Sequence, residues 1–94
     1  MEISFADRIT MPQDVLISGV DSESVLLNLK SERYFGLDEV GTRMVSVLTS
    51  SDSIQVAYEA LLKEYEVDAE RLREDLTGLI DKLVDQGLVE IAPR

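Results

Sequence analysis

The sequence of 94 residues contains no cysteine and no histidine. The lack of thiols excludes disulfides and thiol nucleophiles, and the lack of imidazoles removes the usual zinc ligands and general bases. No apolar run approaches the roughly 20 residues that a membrane-spanning helix needs. The N-terminal run MEISFADRIT lacks the apolar stretch of a signal peptide. The sequence therefore predicts a cytoplasmic protein with no metal, no cofactor and no membrane segment.

Basic residues are also scarce. The sequence has nine Lys and Arg residues and 19 Asp and Glu residues, which gives a net charge of -10. Nucleic acids and anionic lipid surfaces attract basic proteins, so this balance argues against both as partners. The same acidity is compatible with solubility alone or with a neutral or basic partner.

The first part of the chain is rich in strand-forming residues. Short β-prone runs occur at Val15–Ile17, Val25–Leu29 and Arg33–Leu37, a further short strand is expected within Met1–Thr10 through Ile3 and Phe5, and an extended tail closes the chain at Leu88–Ile91. The run Arg33–Leu37 is the last before a long helical tract, so it is expected at a sheet edge. Unpaired main-chain groups at such an edge need cover.

From Asp38 onward the apolar residues recur at helical spacing. Asp38 is predicted to cap a first helix, Asp52 with Gln55 resembles a capping box for a second, and Asp68 opens a third. Gly87 fits the left-handed position that ends a helix. The third helix carries the clearest stripe, formed by Leu72, Leu76, Leu79, Ile80 and Leu83. Strands followed by helices predict one α+β domain over residues 1–94, winged-helix-like, with a three-stranded antiparallel sheet followed by three helices.

No group of residues has the spacing of a catalytic site. The acids of the third helix alternate with Arg71, Arg73 and Lys82, which is typical of a solvated face with pairs such as Arg71–Asp75. A winged helix could place this helix in a DNA major groove, but it carries more acids than bases. The sequence therefore predicts a protein that is not an enzyme, with DNA binding as an alternative.

The edge strand suggests a binding site instead. Alternation places Tyr34 and Gly36 on one face and Arg33, Phe35 and Leu37 on the other. Which face is buried stays open, because a slip of one residue exchanges them. If the third helix lies beside this strand, the two form a groove suited to a peptide that adds as a further strand.

Three segments carry a family resemblance. VLLNLKSERYFGLDEVGTRM, LLKEYEV and the closing leucine series ending in GLV resemble the PqqD-like family, the recognition elements for precursors of ribosomally made peptides. The resemblance runs from about Val15 to Ile91 and is strongest to the free-standing leader-binding proteins of lasso peptide biosynthesis. It implies that a precursor's leader peptide adds as an antiparallel strand to Glu32–Leu37, against the helix Asp68–Gln86. It also implies a non-catalytic protein that presents the precursor to a leader peptidase and a cyclase.

The resemblance and the groove together define the predicted peptide-binding residues. These are Glu32, Arg33, Tyr34, Phe35, Gly36, Leu37, Leu72, Arg73, Asp75, Leu76, Leu79, Ile80 and Leu83. The strand supplies main-chain groups, the apolar side chains form pocket walls or core, and Arg73 and Asp75 make polar contacts. A Tyr and a Pro of the leader are expected in the apolar part of the groove. Many relatives have Trp where this chain has Val45, so a role in quinone-cofactor synthesis, with a radical enzyme as partner, stays open.

Overall fold

The computed structural model describes residues 3–93, and these form five strands and three helices. The elements are β1 (Arg8–Thr10), β2 (Val15–Val20), β3 (Glu23–Asn28), β4 (Tyr34–Leu37), α1 (Glu39–Ser50), α2 (Ile54–Glu64), α3 (Ala69–Asp85) and β5 (Glu90–Ala92). The strands β2, β3 and β4 make a three-stranded antiparallel sheet in that order, and β1 pairs separately with β5. The predicted α+β arrangement is confirmed.

The register of the sheet decides which face is buried. Leu26 pairs with Phe35, and Leu27 pairs with Tyr34. Leu26 is fully buried and Phe35 packs against the core, whereas Tyr34 is 72% exposed. The face that carries Phe35 and Leu37 therefore lies on the helices, and the face that carries Tyr34 and Gly36 points to solvent.

The core lies between the inner face of the sheet and the three helices. α3 contributes its predicted stripe except Leu79, which is only partly buried. The other helices contribute residues that include Val45, Leu48, Ile54 and Leu61, all at most 1% exposed. In the part of the chain from residue 3 to 93, no helix has the length and apolarity to cross a membrane.

Two of the three predicted helix caps are confirmed. Asp38 Oδ1 accepts a hydrogen bond from the N–H of Gly41 at 2.7 Å, and Asp68 Oδ2 accepts from the N–H of Arg71 at 3.1 Å. Each satisfies a main-chain donor that the first turn of a helix leaves without a partner.

The predicted capping box of the second helix is wrong. Ser53, not Asp52, is the cap, and its hydroxyl accepts from the N–H of Val56 at 3.2 Å. The N–H groups of Ile54 and Gln55 donate to main-chain carbonyls of the N-terminal segment. This segment supplies acceptors for the N–H groups of the first two helical residues, which have no partner within the helix.

Within the segment Met1–Thr10, where a strand was expected, the observed strand begins at Arg8, so Ile3 and Phe5 lie before it. Residues 1 and 2 of that segment lie outside the described residues. Phe5 is buried instead as an anchor. Its ring meets Tyr58 edge to face at 5.6 Å, and its carbonyl accepts from the N–H of Gln55 at 2.9 Å. The side chain and the main chain of Phe5 therefore fasten the N-terminal segment to α2.

The end of α3 is the predicted left-handed turn. Gly87 has a φ of 70° and donates to the carbonyl of Val84 at 3.0 Å. Leu88 donates to the carbonyl of Leu83 at 2.9 Å. These two bonds are the pair that closes a Schellman motif. The turn directs the chain into β5, which pairs with β1.

Candidate functional site

The outer edge of β4 presents unpaired main-chain groups. The N–H of Asn28 donates to the carbonyl of Arg33 at 2.8 Å, so these two residues are a hydrogen-bonded pair. Bonded and non-bonded pairs alternate along an antiparallel ladder. Phe35 and Leu37 therefore bond to β3, whereas the N–H and C=O groups of Tyr34 and Gly36 point away from it.

The other side of the ladder gives the same result. The N–H of Leu29 donates to the carbonyl of Asp14 at 2.8 Å, so the odd-numbered residues of β3 bond to β2. The even-numbered residues of β3 then bond to β4, as the pair of Asn28 and Arg33 also requires. Two N–H and two C=O groups on β4 are thus free to accept another strand.

One flank of α3 lies beside this edge. Arg33 Nη1 donates to Gln86 Oε1 at 3.3 Å, which brings the start of β4 to the end of α3. At the other end, Asp75 shares a cavity with Val40 of α1. Helical spacing places Leu79 and Lys82 between Asp75 and Gln86 on the same flank. We name the space between β4 and this flank the edge groove.

The side chain of Asn28 makes a second link at the Gln86 end of the edge groove. Asn28 Nδ2 donates to the carbonyl of Gly87 at 2.9 Å, and Asn28 Oδ1 accepts from the N–H groups of Lys30 and Ser31 at 2.9 and 3.1 Å. The turn before β4 is therefore fixed to the residue after α3. The strand and the helix are therefore held together at this end.

An apolar cavity of about 130 Å³ lies at the other end, between the first turns of α1 and α3. Val40 and Val67 are 44% and 48% exposed at its mouth. The cavity is lined by Val40, Met44, Tyr65, Val67, Arg71, Leu72 and Asp75. It follows directly from the Leu37 end of β4, because Asp38 caps α1 there.

Tyr65 is held in this wall by a link between α1 and α2. Arg43 of α1 binds both carboxylate oxygens of Glu64, with the shortest contact 2.7 Å. The hydrogen bond from Arg43 lowers the pKa of Glu64, and the same bond raises the pKa of Arg43. Burial raises the pKa of the neighbouring Tyr65. The ion pair thus positions the end of α2, from which Tyr65 reaches the cavity.

Four of the predicted pocket residues belong to the core. Leu72, Leu76, Ile80 and Leu83 are at most 3% exposed. Leu76 and Ile80 have no exposed surface, so neither contacts a peptide directly. Leu79 is the member of the stripe at the edge of the groove, and Leu72 reaches the cavity through its side chain.

Three further predicted residues have other places. Arg73 lies on the opposite flank of α3, with its guanidinium carbon 4.0 Å from the centre of the Phe5 ring. Tyr34 presents its side chain on the solvent face of the sheet, and only its main chain faces the groove. Glu32 is in the turn before β4, with a φ of 62°, and its N–H donates to the carbonyl of Asn28. Asp75 lies on the groove flank, where it lines the cavity beside Val40.

Sequence reasoning missed Asn28, Val40, Met44, Val67 and Gln86. Val40 and Met44 lie in the first two turns of α1, and Val67 directly precedes the cap of α3. The exposure of Val40 and Val67 depends on how far apart α1 and α3 lie, which no local pattern encodes. Asn28 carried one usable signal, because asparagine before a polar turn often bonds to the main chain two residues later.

Comparison with known proteins identifies the family. A family model described as coenzyme PQQ synthesis protein D (PqqD) matches residues 23–89. The chain belongs to the PqqD family. The match begins with β3 and includes β4 and all three helices, so both sides of the edge groove fall within the PqqD region.

Two solved structures resemble this PqqD-family chain. The first is TbiB1 in complex with the TbiA(beta) leader peptide, with 33% sequence identity and a TM-score of 0.79, covering 86% of this chain and 94% of that chain. The second is a lasso peptide synthetase B1 complexed with the leader peptide. At 23% identity and a TM-score of 0.78, covering 88% of this chain and 98% of that one, it shows a shared fold. A comparison with curated proteins finds no match.

Proposed function

We propose that this PqqD-family protein binds the leader peptide of a ribosomally made precursor, that of a lasso peptide, as an added strand on β4. The observation that carries the proposal is the pair of open main-chain positions, Tyr34 and Gly36, beside a helix flank. Main-chain bonds to a sheet edge give affinity, and pockets for alternate side chains give specificity. The 33% identity to TbiB1, whose structure holds a leader peptide, supports leader binding by this chain.

The groove suggests how the leader lies. A strand antiparallel to β4 would have its N-terminal end at the cavity and its C-terminal end at Arg33 and Gln86. Its inward side chains would pack on Phe35 and Leu79, which are both partly buried. A ring of tyrosine or proline size would suit the cavity of about 130 Å³ between Val40 and Leu72. Binding would depend on a few such anchors.

The proposed role is non-catalytic. The protein would hold the leader while a leader peptidase removes it and a cyclase closes the ring of the product. It would act in the cytoplasm, where the precursor leaves the ribosome. The open edge supports this role because it recognises main chain, which every leader supplies, and leaves the remainder of the precursor free.

The family model favours one alternative, namely a chaperone for the precursor of a quinone cofactor that works with a radical enzyme. Both roles use the same groove and differ in the peptide that fills it. The alternative of DNA binding is disfavoured because the acids Glu70, Glu74 and Asp75 lie along α3 and would repel phosphates. Titration with each peptide and with duplex DNA separates the three roles.

A matched pair of variants tests the added strand. Tyr34→Pro removes an N–H that faces the groove, and proline is tolerated at the first residue of an edge strand. Tyr34→Ala removes the same exposed side chain and keeps the N–H. The ligand is the leader of a short precursor to be sought among the open reading frames beside this protein's gene, and affinity is measured by isothermal titration. We expect Tyr34→Pro to weaken binding at least about tenfold and Tyr34→Ala less than about threefold.

Circular dichroism and thermal unfolding establish that both variants are folded. Equal affinity of the two variants would contradict strand addition at this edge. Size measurement adds a second check, because two copies could instead pair edge to edge and cover β4 themselves. A dimer that ignores the leader would overturn the proposal, whereas a monomer that forms a one-to-one complex supports it.

A further inference from the structure

The solvent face of β4 has a gap at Gly36. Alternation places Gly36 on this face, opposite Val25 of β3. A Cβ added at Gly36 would meet no atom within 4 Å, so the space above it is open. Val25 is 42% exposed, although it lies in the central strand. We name this depression the Gly36 slot.

The slot has defined walls. It has a volume of about 380 Å³, its apolar floor is formed by Val20 and Val25, and its rim carries Glu23 and Asp38. No basic residue of the described chain lines it. An aromatic or long aliphatic side chain would cover the two valines, and a basic head group would be favoured over an acidic one at the rim.

The register of an added strand points to what enters the slot. Both main-chain groups of Gly36 face the open edge, so the leader residue opposite Gly36 would form a hydrogen-bonded pair with it. Side chains of a directly opposite pair lie on the same face. This leader side chain would therefore lie on the solvent face, outside the edge groove, and would meet no side chain at position 36.

We propose that the Gly36 slot is a specificity site for a large apolar or basic side chain of the leader, at the position opposite Gly36. The inference rests on the proposed function, since it requires the leader to add to β4. A large side chain can lie across the glycine onto Val25, as aromatic side chains do over edge glycines in other sheets. A small side chain would leave Val20 and Val25 uncovered. An acidic side chain would lie near the carboxylates of Glu23 and Asp38.

The test couples one protein variant with a scan of the leader. Gly36→Val places a side chain in the slot, and a Cβ at this position meets no atom within 4 Å. Gly19→Val is the matched control at the far edge of the sheet, where a Cβ lies at an ordinary 3.7 Å from the carbonyl of Glu23. Each residue of the leader is replaced by alanine in turn, and the affinities for wild type, Gly36→Val and Gly19→Val are measured by fluorescence anisotropy.

We expect one leader position at which alanine weakens binding to wild type and to Gly19→Val by about fivefold, but to Gly36→Val by less than about twofold. If alanine replacements in the leader changed the affinity for wild type and for Gly36→Val equally at every position, the Gly36 slot would not be a specificity site. Strand addition to β4 would still stand. If the unchanged leader fails to bind wild type, the proposed function itself is wrong. The two failures are therefore distinguishable.

Discussion

Asn28 donates a hydrogen bond from Nδ2 to the carbonyl of Gly87 at 2.9 Å, across 59 positions of the chain. The Oδ1 of the same side chain accepts from the N–H groups of Lys30 and Ser31. One amide thus shapes the turn that leads into β4 and fastens that turn to the end of α3. The spacing of the edge groove at its closed end depends on this residue.

Replacing Asn28 by aspartate separates the two tasks. Asn28→Asp keeps an acceptor for the turn but puts an oxygen opposite the carbonyl of Gly87, so the tie is lost. We expect the free energy of unfolding to fall by about 1–3 kcal/mol and leader affinity to fall with it. Urea denaturation and isothermal titration measure the two effects. Asn28→Ala should cost more stability, because it also loses the turn contacts, and unchanged stability of Asn28→Asp would contradict the role of the tie.

Two half-buried residues on opposite flanks of α3 test the position of the groove. Leu79 lies on the flank facing β4, and Val84 lies by helical spacing on the flank of Arg73, which faces Phe5. Leu79→Asp and Val84→Asp should each cost about 1–2 kcal/mol of stability, since both lose partly buried apolar surface. Only Leu79→Asp should weaken leader binding, by at least about tenfold. Equal loss of affinity in both variants would place the peptide elsewhere.

The caps at Asp38 and Asp68 and the turn at Gly87 were predictable because their partners lie within a few residues along the chain. The start of α2 was not predictable in this way, because the N–H groups of Ile54 and Gln55 donate to carbonyls in the N-terminal segment. Such long-range partners leave no local signal. The alternating pattern likewise predicted the strands of the hairpin but not which of their faces is buried. That choice depends on the pairing register of β3 and β4, which side-chain alternation alone does not set.

The site was predictable in outline and not in its side chains. The order of the elements indicated β4 as an edge, and the family resemblance indicated α3 as its neighbour. An apolar stripe, however, marks the side of a helix that meets the core, and the groove flank beside it is largely polar, with Asp75, Lys82 and Gln86. The stripe therefore led to buried residues such as Leu76, which has no exposed surface and where aspartate would unfold the protein.

Two glycines of the α3 region should respond to alanine with opposite signs. Gly87 has a φ of 70°, which side chains rarely adopt, so Gly87→Ala should destabilise by about 1 kcal/mol. Gly78 lies on an exposed face within α3, where a Cβ meets no atom within 4 Å. Gly78→Ala should stabilise by about 0.5–1 kcal/mol. Thermal unfolding measures both, and shifts of the same sign would contradict this assignment of the helix end.

The ion pair of Arg43 and Glu64 should make stability depend on pH in the acid range. Because the bond from Arg43 lowers the pKa of Glu64 from its ordinary value of 4.5, the folded state favours the ionised carboxylate. Its stabilising contribution is complete above pH 4.5 and is lost as the pH falls through the lowered pKa of the folded state. Arg43, whose pKa is raised, stays charged throughout. The stability difference between wild type and Glu64→Gln should therefore shrink below pH 4.5, as urea denaturation from pH 7 to about pH 3 would measure. Arg43→Met should abolish this pH-dependent difference, and a difference that stays constant with pH in the wild-type background would show that the pair does not couple to folding.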